Sequence, residues 1–449
     1  MKTEGKHGWK VGIVGECMVS RTFGKSKEPE FLKIKEILDS ADVCFGHLEM
    51  NFGDFTTSGW PARGDWTGSY MLADPAIATD LRWLGINLMS VCNNHSYDFG
   101  APVILETRKH CMEAGIVSAG TGIDLEEARE PGYWEGETGR VGLIATTTGN
   151  VPHEWANLSK GSMPTRPGVN PLRVKMRYLM PEVLAETFRS YGKSLNILHV
   201  DKETGDFHFY HPSIQSSGAN CVFSQSDDIG IDSICNPYDL EGNLRSIQEA
   251  KIMSDLVMVA HHFNISEGGR NETPPTFAIE FAHAAIDAGA DMYLGHGWHK
   301  MLGLEIYKGK PVFYGLGNFF MQNQFIRRAP YDAYESYGHD ISRLSSLRPA
   351  DEPLHPGGRG PLRLVSCIIE AEYKSDGQIN AINYHPVEMG VDFSVTPHRI
   401  TRYTGSLIDG RPFLASGENA KSILEWLQRV SKPFGTKIKI NGDIGRWEA

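Results

Sequence analysis

The chain has 449 residues, 41% of them hydrophobic and 22% charged, the balance of a globular protein long enough to bury one large core or several. Its formal net charge of −11, with no stripe of Lys and Arg, excludes a nucleic-acid surface and argues against docking on anionic lipid. Seven cysteines, odd in number and without C-x-x-C spacing, point to reduced thiols and away from a disulfide framework.

Met1 to Lys10 is polar, without the apolar stretch of a secretory signal, and no run approaches the roughly 20 apolar residues of a membrane helix. The expectation is a cytoplasmic protein with no membrane partner. Trp9–Gly15 reads as a buried strand that breaks at Gly15, with Glu16 just beyond it, where α/β folds place ligands. The spacing of Phe31, Ile34, Ile37 and Leu38 predicts a helix over 30–40. A second strand, Asp42–Gly46, delivers His47 and Glu49, and the Gly- and Trp-rich segment 51–70 reads as an ordered loop over a site. A helix over 75–84 stops at Gly85, a strand over 86–92 leads into Asn93-Asn94-His95, and Pro102 opens a helix to about Ala114. Short strands at 116–119 and 140–145 follow. This β-α-β-α alternation argues for an α/β sheet.

From about 150 to 243 the pattern loosens, punctuated by Pro152, Pro164, Pro167 and Pro171. A helix is expected near Val174–Tyr191 and a hairpin over Lys202–Tyr210. The stretch reads as an insertion or cap within a single domain spanning 1–449, and its Arg166 and Arg173 could present guanidiniums to an anionic substrate. The alternation resumes with a helix over 243–254 and a strand, Asp255–Ala260, that delivers His261-His262. The helix over 276–288 puts His283 on its solvated side, which excludes it from a site. A strand over 290–294 then delivers Gly295-His296-Gly297-Trp298-His299. Strands at 302–307 and 311–314 precede Gly315-Leu316-Gly317-Asn318, where Asn318 can hydrogen-bond into a site. Residues 326–360 read as a long excursion, 363–373 and 378–386 as late strands, and 422–430 as a terminal helix.

Glu16, Glu49, Asn94, His261, His296 and His299 sit where strand-like runs end, so their loops should converge on one edge of a sheet. Two carboxylates, an amide oxygen and three imidazoles suit two divalent ions of the Mn, Fe or Zn class, not Mg or Ca alone. Such a pair polarises a substrate oxygen and lowers the pKa of a water between the ions. His95, beside Asn94, is placed to protonate a leaving group, and Asp98 to orient that imidazole.

Several motifs carry a resemblance: Gly15-Glu16-Cys17-Met18, Leu48-Glu49, Asn93-Asn94-His95 with Asp98-Phe99-Gly100, Asp287-Ala288-Gly289-Ala290-Asp291, Gly295 to His299, and Tyr314 to Phe319. In them the sequence resembles the CapA-like capsule (poly-γ-glutamate) synthesis family, which shares the calcineurin-like metallophosphoesterase fold. The resemblance covers roughly residues 9 to 325. It implies a four-layer α/β/β/α sandwich with metals at its loop edge. It also implies metal-ligand roles for Glu16, Glu49, Asn94, His261, His296 and His299, and a proton-donor role for His95. Three positions depart from the family pattern. Glu16 stands where Asp is usual, and Trp298, expected to wall the pocket, stands for Pro. His262 replaces a Trp, so it is itself a candidate ligand and the choice between His261 and His262 stays open. The expected activity is hydrolysis of a γ-glutamyl-like amide or of another small carboxylated substrate, contacted by Arg166, Arg173, Trp298 and Asn318. The alternatives are a phosphoesterase using the same site and a non-catalytic capsule-assembly protein.

Overall fold

The structure, a computed structural model, describes residues 8–24, 26–62, 70–210, 220–268, 272–322, 330–331, 364–389 and 410–449. The excursion expected over 326–360 lies outside the described residues apart from 330 and 331, as do 63–69 of the expected loop.

Two large sheets carry the molecule. Among the described residues the first has ten strands. Its centre is parallel: Lys10–Met18 lies beside Val43–Leu48, followed by Leu88–Ser90 and Val117–Ala119. On its other side Lys10–Met18 pairs with two strands, antiparallel with Val365–Tyr373 along its first half and parallel with Asn318–Met321 along its second. The second sheet has six strands. Gly139–Thr148, Leu256–Phe263, Met292–His296 and Lys310–Phe313 run parallel, with antiparallel Gly132–Gly136 and Leu304–Tyr307 at the edges. Leu256–Phe263 is buried at every position, as expected of a parallel strand covered on both faces.

Side chains alternate along each strand, and the apolar clusters show what each face meets. Ile13, Val43, Phe45 and Leu88 of the first sheet share a cluster with Leu143, Met258, Ala260 and Leu294 of the second. The two inner faces therefore pack on each other. The outer face of the first sheet, through Val14, Cys44 and Met89, meets Phe31, Ile34 and Leu38 of helix Pro29–Asp39, and Ile77 and Leu81 of helix Ala76–Leu84. The outer face of the second, through Val257, Val259 and Tyr293, meets helices Pro237–Met253 and Thr276–Ala288. Phe277 and Phe281 of the latter are fully buried, each contributing about 1.5–3 kcal/mol relative to exposure. Local chemistry sets the helix ends. Gly85 adopts φ 118° to close one helix, and Asn236 accepts from the backbone N–H groups of Tyr238 and Asp239 to open another.

Several elements differ from the sequence expectation. The first strand does not break at Gly15; it runs on to Met18, with a register irregularity between Ile13 and Glu16. Val174–Met180 is a strand, not the start of a helix; Val174, Met176 and Met180 are buried on one side of it, and Pro181 separates it from helix Glu182–Ser194. That strand belongs to a separate five-stranded sheet drawn from residues 174–235, in which Leu198–Val200 and Phe207–Phe209 form the expected hairpin. His283 lies on the partly exposed side of its helix, as expected, where its ring stacks on Tyr307 at 3.8 Å and its Nε2 lies 3.0 Å from Glu305. Cys17, Cys92 and Cys367 are buried thiols. Among the described residues no helix is long and apolar enough to cross a membrane.

Candidate metal centre

The strand geometry brings polar residues of both sheets to one place. In the first sheet Glu16 has His47 as its register partner on one neighbouring strand and Asn318 on the other. Gly15 permits that close pairing, since a Cβ there would lie 1.9 Å from the Gly317 carbonyl oxygen. In the second sheet His262 and His296 are register partners. Gly297 then turns the chain against the Phe263 carbonyl, with φ 110°. His299 sits in the left-handed region at φ 57°, a conformation that costs a non-glycine residue about 1–2 kcal/mol.

Two groups of side chains result, each offering ligand atoms within 4.8 Å of one another: Glu16, Glu49 and His299 in one, His47, His262 and His296 in the other. All but His299 are buried. In the first group His299 Nδ1 faces a carboxylate oxygen of Glu16, a carboxylate oxygen of Glu49 at 3.5 Å and Asn318 Oδ1 at 3.0 Å. Glu16 also accepts from the Gly297 N–H. Burial opposes ionisation of Glu16, but His299, the Gly297 N–H and His47 together hold its pKa below the usual carboxylate value. In the second group His262 Nδ1 lies 3.1 Å from both His47 Nε2 and His296 Nδ1, and His262 Nε2 lies 2.8 Å from Asn94 Oδ1. The His47 ring stacks on that of His296 at 3.6 Å. Burial, reinforced by the neighbouring imidazoles, pushes the pKa values of His262 and His296 well below 6.5. Burial likewise brings that of His47 down to about 3.

The donor set fits divalent ions. One proton on His299 Nδ1 cannot satisfy three surrounding oxygens at once, whereas a cation can. If His262 donates from Nε2 to Asn94, its Nδ1 lone pair faces two further imidazole nitrogens and can accept from only one of them. The 3.1 Å N···N spacings are close to the roughly 3.3 Å between nitrogens on a tetrahedral zinc with bonds of about 2.0–2.1 Å. His296 Nε2 is buried without a hydrogen-bond partner, a costly arrangement for a polar atom unless something else fills the site.

His261 is not among these residues. It faces the outer layer with Val257 and Val259, against Phe263, Phe277 and Phe281. Its Nε2 lies 2.8 Å from Thr148 Oγ1 and its Nδ1 2.7 Å from the Tyr293 hydroxyl. Thr148 spends its own proton on the Leu172 carbonyl at 2.7 Å, so it accepts from His261 Nε2–H, and His261 Nδ1 accepts from Tyr293. Both ring nitrogens are used, and no lone pair remains for a metal. Its neighbour His262 occupies the position expected of it.

His95 and Asp98 stand beside Asn94. His95 Nδ1 is 2.7 Å from Asp98 Oδ2, which also accepts from the Met71 N–H at 2.8 Å. Asn93 Oδ1 accepts from the His95 N–H at 2.8 Å, and Asn93 Nδ2 donates to the Leu48 carbonyl at 2.7 Å, tying this turn to the loop of Glu49. Asn51, from the loop expected over the site, donates to the His95 carbonyl at 2.6 Å.

Of the expected substrate contacts, Arg173 is committed elsewhere. Its guanidinium makes a bidentate pair, at 2.5 and 2.8 Å, with the fully buried Asp239. Arg166 donates to the carbonyls of Trp155 and Pro152, both at 2.9 Å, and its charge reaches Tyr97, two residues beyond His95. Trp298 packs edge-to-face on Phe263, with Lys300 Nζ 5.1 Å from its ring. His47 was missed as a site residue. The signal for it is its place two residues before Glu49, the spacing that puts strand residues on one face.

The chain matches the bacterial capsule synthesis protein family PGA_cap over residues 10–323 and belongs to that family. It is 32% identical to the uncharacterized protein y4sH of Sinorhizobium fredii, across 98% of this chain and 92% of that one. A probable polyglutamine synthesis accessory protein of Mycobacterium tuberculosis is 27% identical over 58% of this chain and 49% of its own length. The PGA biosynthesis protein CapA of Bacillus subtilis is 35% identical over 91 residues, 20% of this chain and 23% of that one.

Proposed function

We propose that the chain is a metal-dependent hydrolase built on a calcineurin-like metallophosphoesterase fold, a four-layer α/β/β/α sandwich in which residues 150–243 form an insertion. In this reading it holds two divalent ions of the Mn, Fe or Zn class. The observation that carries the reading is the meeting of Glu16, Glu49 and His299 with His47, His262 and His296, next to the His95–Asp98 pair. Asn94, close to His262, completes the proposed ligand set.

Two divalent ions there would polarise the scissile group and acidify a water that attacks it. The rest falls to the chain. Asp98 holds the His95 Nδ1 proton, so Nε2 is the nitrogen that delivers a proton to the leaving group. Asn93 and Asn51 fix the backbone on either side of His95 and keep that imidazole in place. Trp298 walls the pocket beside Phe263, and Arg166 supplies positive charge at the Tyr97 rim for a substrate carboxylate. The resemblance to poly-γ-glutamate synthesis proteins directs the choice of bond to a γ-glutamyl amide; the mycobacterial and Bacillus relatives are a probable polyglutamine synthesis accessory protein and a PGA biosynthesis protein.

The test is hydrolysis by the Mn²⁺- or Zn²⁺-reconstituted chain of a γ-glutamyl anilide set against p-nitrophenyl phosphate. Anilide cleavage that is lost in His95→Ala, with metal content intact, is the expected result. Cleavage of the phosphate alone would move the site to phosphoester chemistry. Inactivity on both substrates in the metal-loaded chain would overturn the hydrolase reading.

A further inference from the structure

Resting on the metal-dependent reading above, we infer that the two ligand groups are unequal and select different ions. His47, His262 and His296 form an all-nitrogen pocket for one ion of the zinc class, filled first and tightly. Glu16, Glu49 and His299, with Asn318, form an oxygen-rich pocket for a second, harder ion such as Mn²⁺. His47 is the residue that creates the difference.

The chemistry follows from the donors. The first pocket offers three imidazoles, held within 4.8 Å of one another and fully buried, and no carboxylate. Imidazole suits zinc, copper and nickel, and divalent affinity on such ligands rises from Mn²⁺ toward Cu²⁺ along the transition series. The second pocket offers two carboxylates and the Asn318 amide oxygen around a single imidazole. Oxygen donors suit Mn²⁺ and similar hard ions. Formal ligand charge separates the pockets too, near zero in the first and −2 in the second. An ion among the imidazoles keeps its full charge, while one among the carboxylates is neutralised. The strand register sets the two pockets side by side: Glu16 of one and His47 of the other are partners across two parallel strands of one sheet, and His262 and His296 are partners across two of the other. Removing His47 leaves the nitrogen pocket two imidazoles, since Asn94 Oδ1 meets the other ring nitrogen of His262. His47 stacks on the ring of His296 while its Nε2 faces His262 Nδ1 at 3.1 Å.

The experiment uses the full chain, stripped with chelator and then given Zn²⁺ and Mn²⁺ together. Metal per chain is counted by mass spectrometry after gel filtration, and bound Mn²⁺ is followed by electron paramagnetic resonance. The wild-type chain should retain one Zn²⁺ through filtration and exchange Mn²⁺ at a second site. His47→Ala should weaken Zn²⁺ by at least about a hundredfold, beyond what a residue that only orients a ligand contributes, and keep the Mn²⁺ signal. Glu49→Gln should do the reverse. Circular dichroism of each variant separates ligand loss from misfolding, and the wild-type competition stands even where a variant does not fold. Two Zn²⁺ ions bound with equal affinity, or Zn²⁺ undisturbed in a folded His47→Ala chain, would overturn the inequality and leave the metal-dependent reading standing. Absence of any bound metal in the wild-type chain would remove the metal-dependent reading itself.

Discussion

Replacing His261 and His262 one at a time by leucine separates a structural histidine from a ligand. His261→Leu removes the acceptor of the Tyr293 hydroxyl and the donor to Thr148 Oγ1, contacts of 2.7 and 2.8 Å in a fully buried site. A buried hydroxyl left unsatisfied costs about 1–3 kcal/mol. The lone pair on Thr148 costs less, because its proton already serves Leu172. Leucine regains part of this by packing on Phe263, Phe277 and Phe281. The net expectation is a loss of about 2–3 kcal/mol with metal content unchanged. His262→Leu has the opposite signature. Its ring sits among neutral imidazoles that it cannot all satisfy and gives up one hydrogen bond, to Asn94 Oδ1, so the metal-free chain should lose only about 1 kcal/mol, while one ion per chain is lost. Urea unfolding of the stripped proteins measures the first quantity and mass spectrometry of the loaded ones the second. A His261→Leu chain that loses an ion at an unchanged urea midpoint would refute the assignment, because its ring nitrogens would then have been available to metal.

His95→Asn should lower kcat by about 10²–10⁴-fold, the usual worth of a positioned general acid, without releasing metal; steady-state turnover read beside metal content checks both halves. Asp239→Ala strips the partner from Arg173 and from Arg129, whose Nη2 lies 3.1 Å from the same carboxylate. Removing one side of a buried pair costs about 3–5 kcal/mol, visible in urea unfolding, whereas Arg173→Ala should leave KM unchanged since that guanidinium serves Asp239. Glu370 provides a pH test away from the metal centre. Burial opposes its ionisation, but His385 at 2.6 Å and Lys10 at 2.5 Å bring its pKa from 4.5 down to about 2. A depressed carboxylate pKa stabilises the fold above pH 4.5, and that contribution is lost as pH falls from 4.5 toward 2. After discounting for solvent screening it is about 1–2 kcal/mol. Glu370→Gln should therefore unfold more easily than wild type at pH 7, with the gap closing near pH 2; a gap that stays constant would refute the linkage.

Much of the fold was legible because it is written in local signals. Gly85 and Gly289 close helices where expected, whereas the helix expected from 243 begins at Pro237, opened by the Asn236 side chain. The errors arose where one pattern serves two geometries. Met176 and Met180 are spaced for a helix face and for a strand face alike, and only Pro181 and the pairing with Gly230–Cys235 decide for the strand. Arg173 was read as free to meet a substrate because its partner, Asp239, lies 66 residues away, beyond the reach of any local rule.

The choice between His261 and His262 was written in the sequence in a form that could not be read alone. Along Leu256–Phe263, period two assigns His261 to the side of Val257 and Val259 and His262 to that of Met258 and Ala260. Both sides of this strand are apolar, because both are covered, so the alternation says that the histidines part without saying which meets the site. That label comes from the layers: helix Thr276–Ala288 covers one face and the first sheet the other. His47 was missed for a related reason. Ending its strand at Gly46 made it a loop residue, while the strand in fact runs to Leu48 and sets His47 level with Glu16. A site assembled from the inner faces of two sheets is specified by which face each residue shares. A single residue on the strand, gained or lost in the reading, exchanges a ligand for a core side chain.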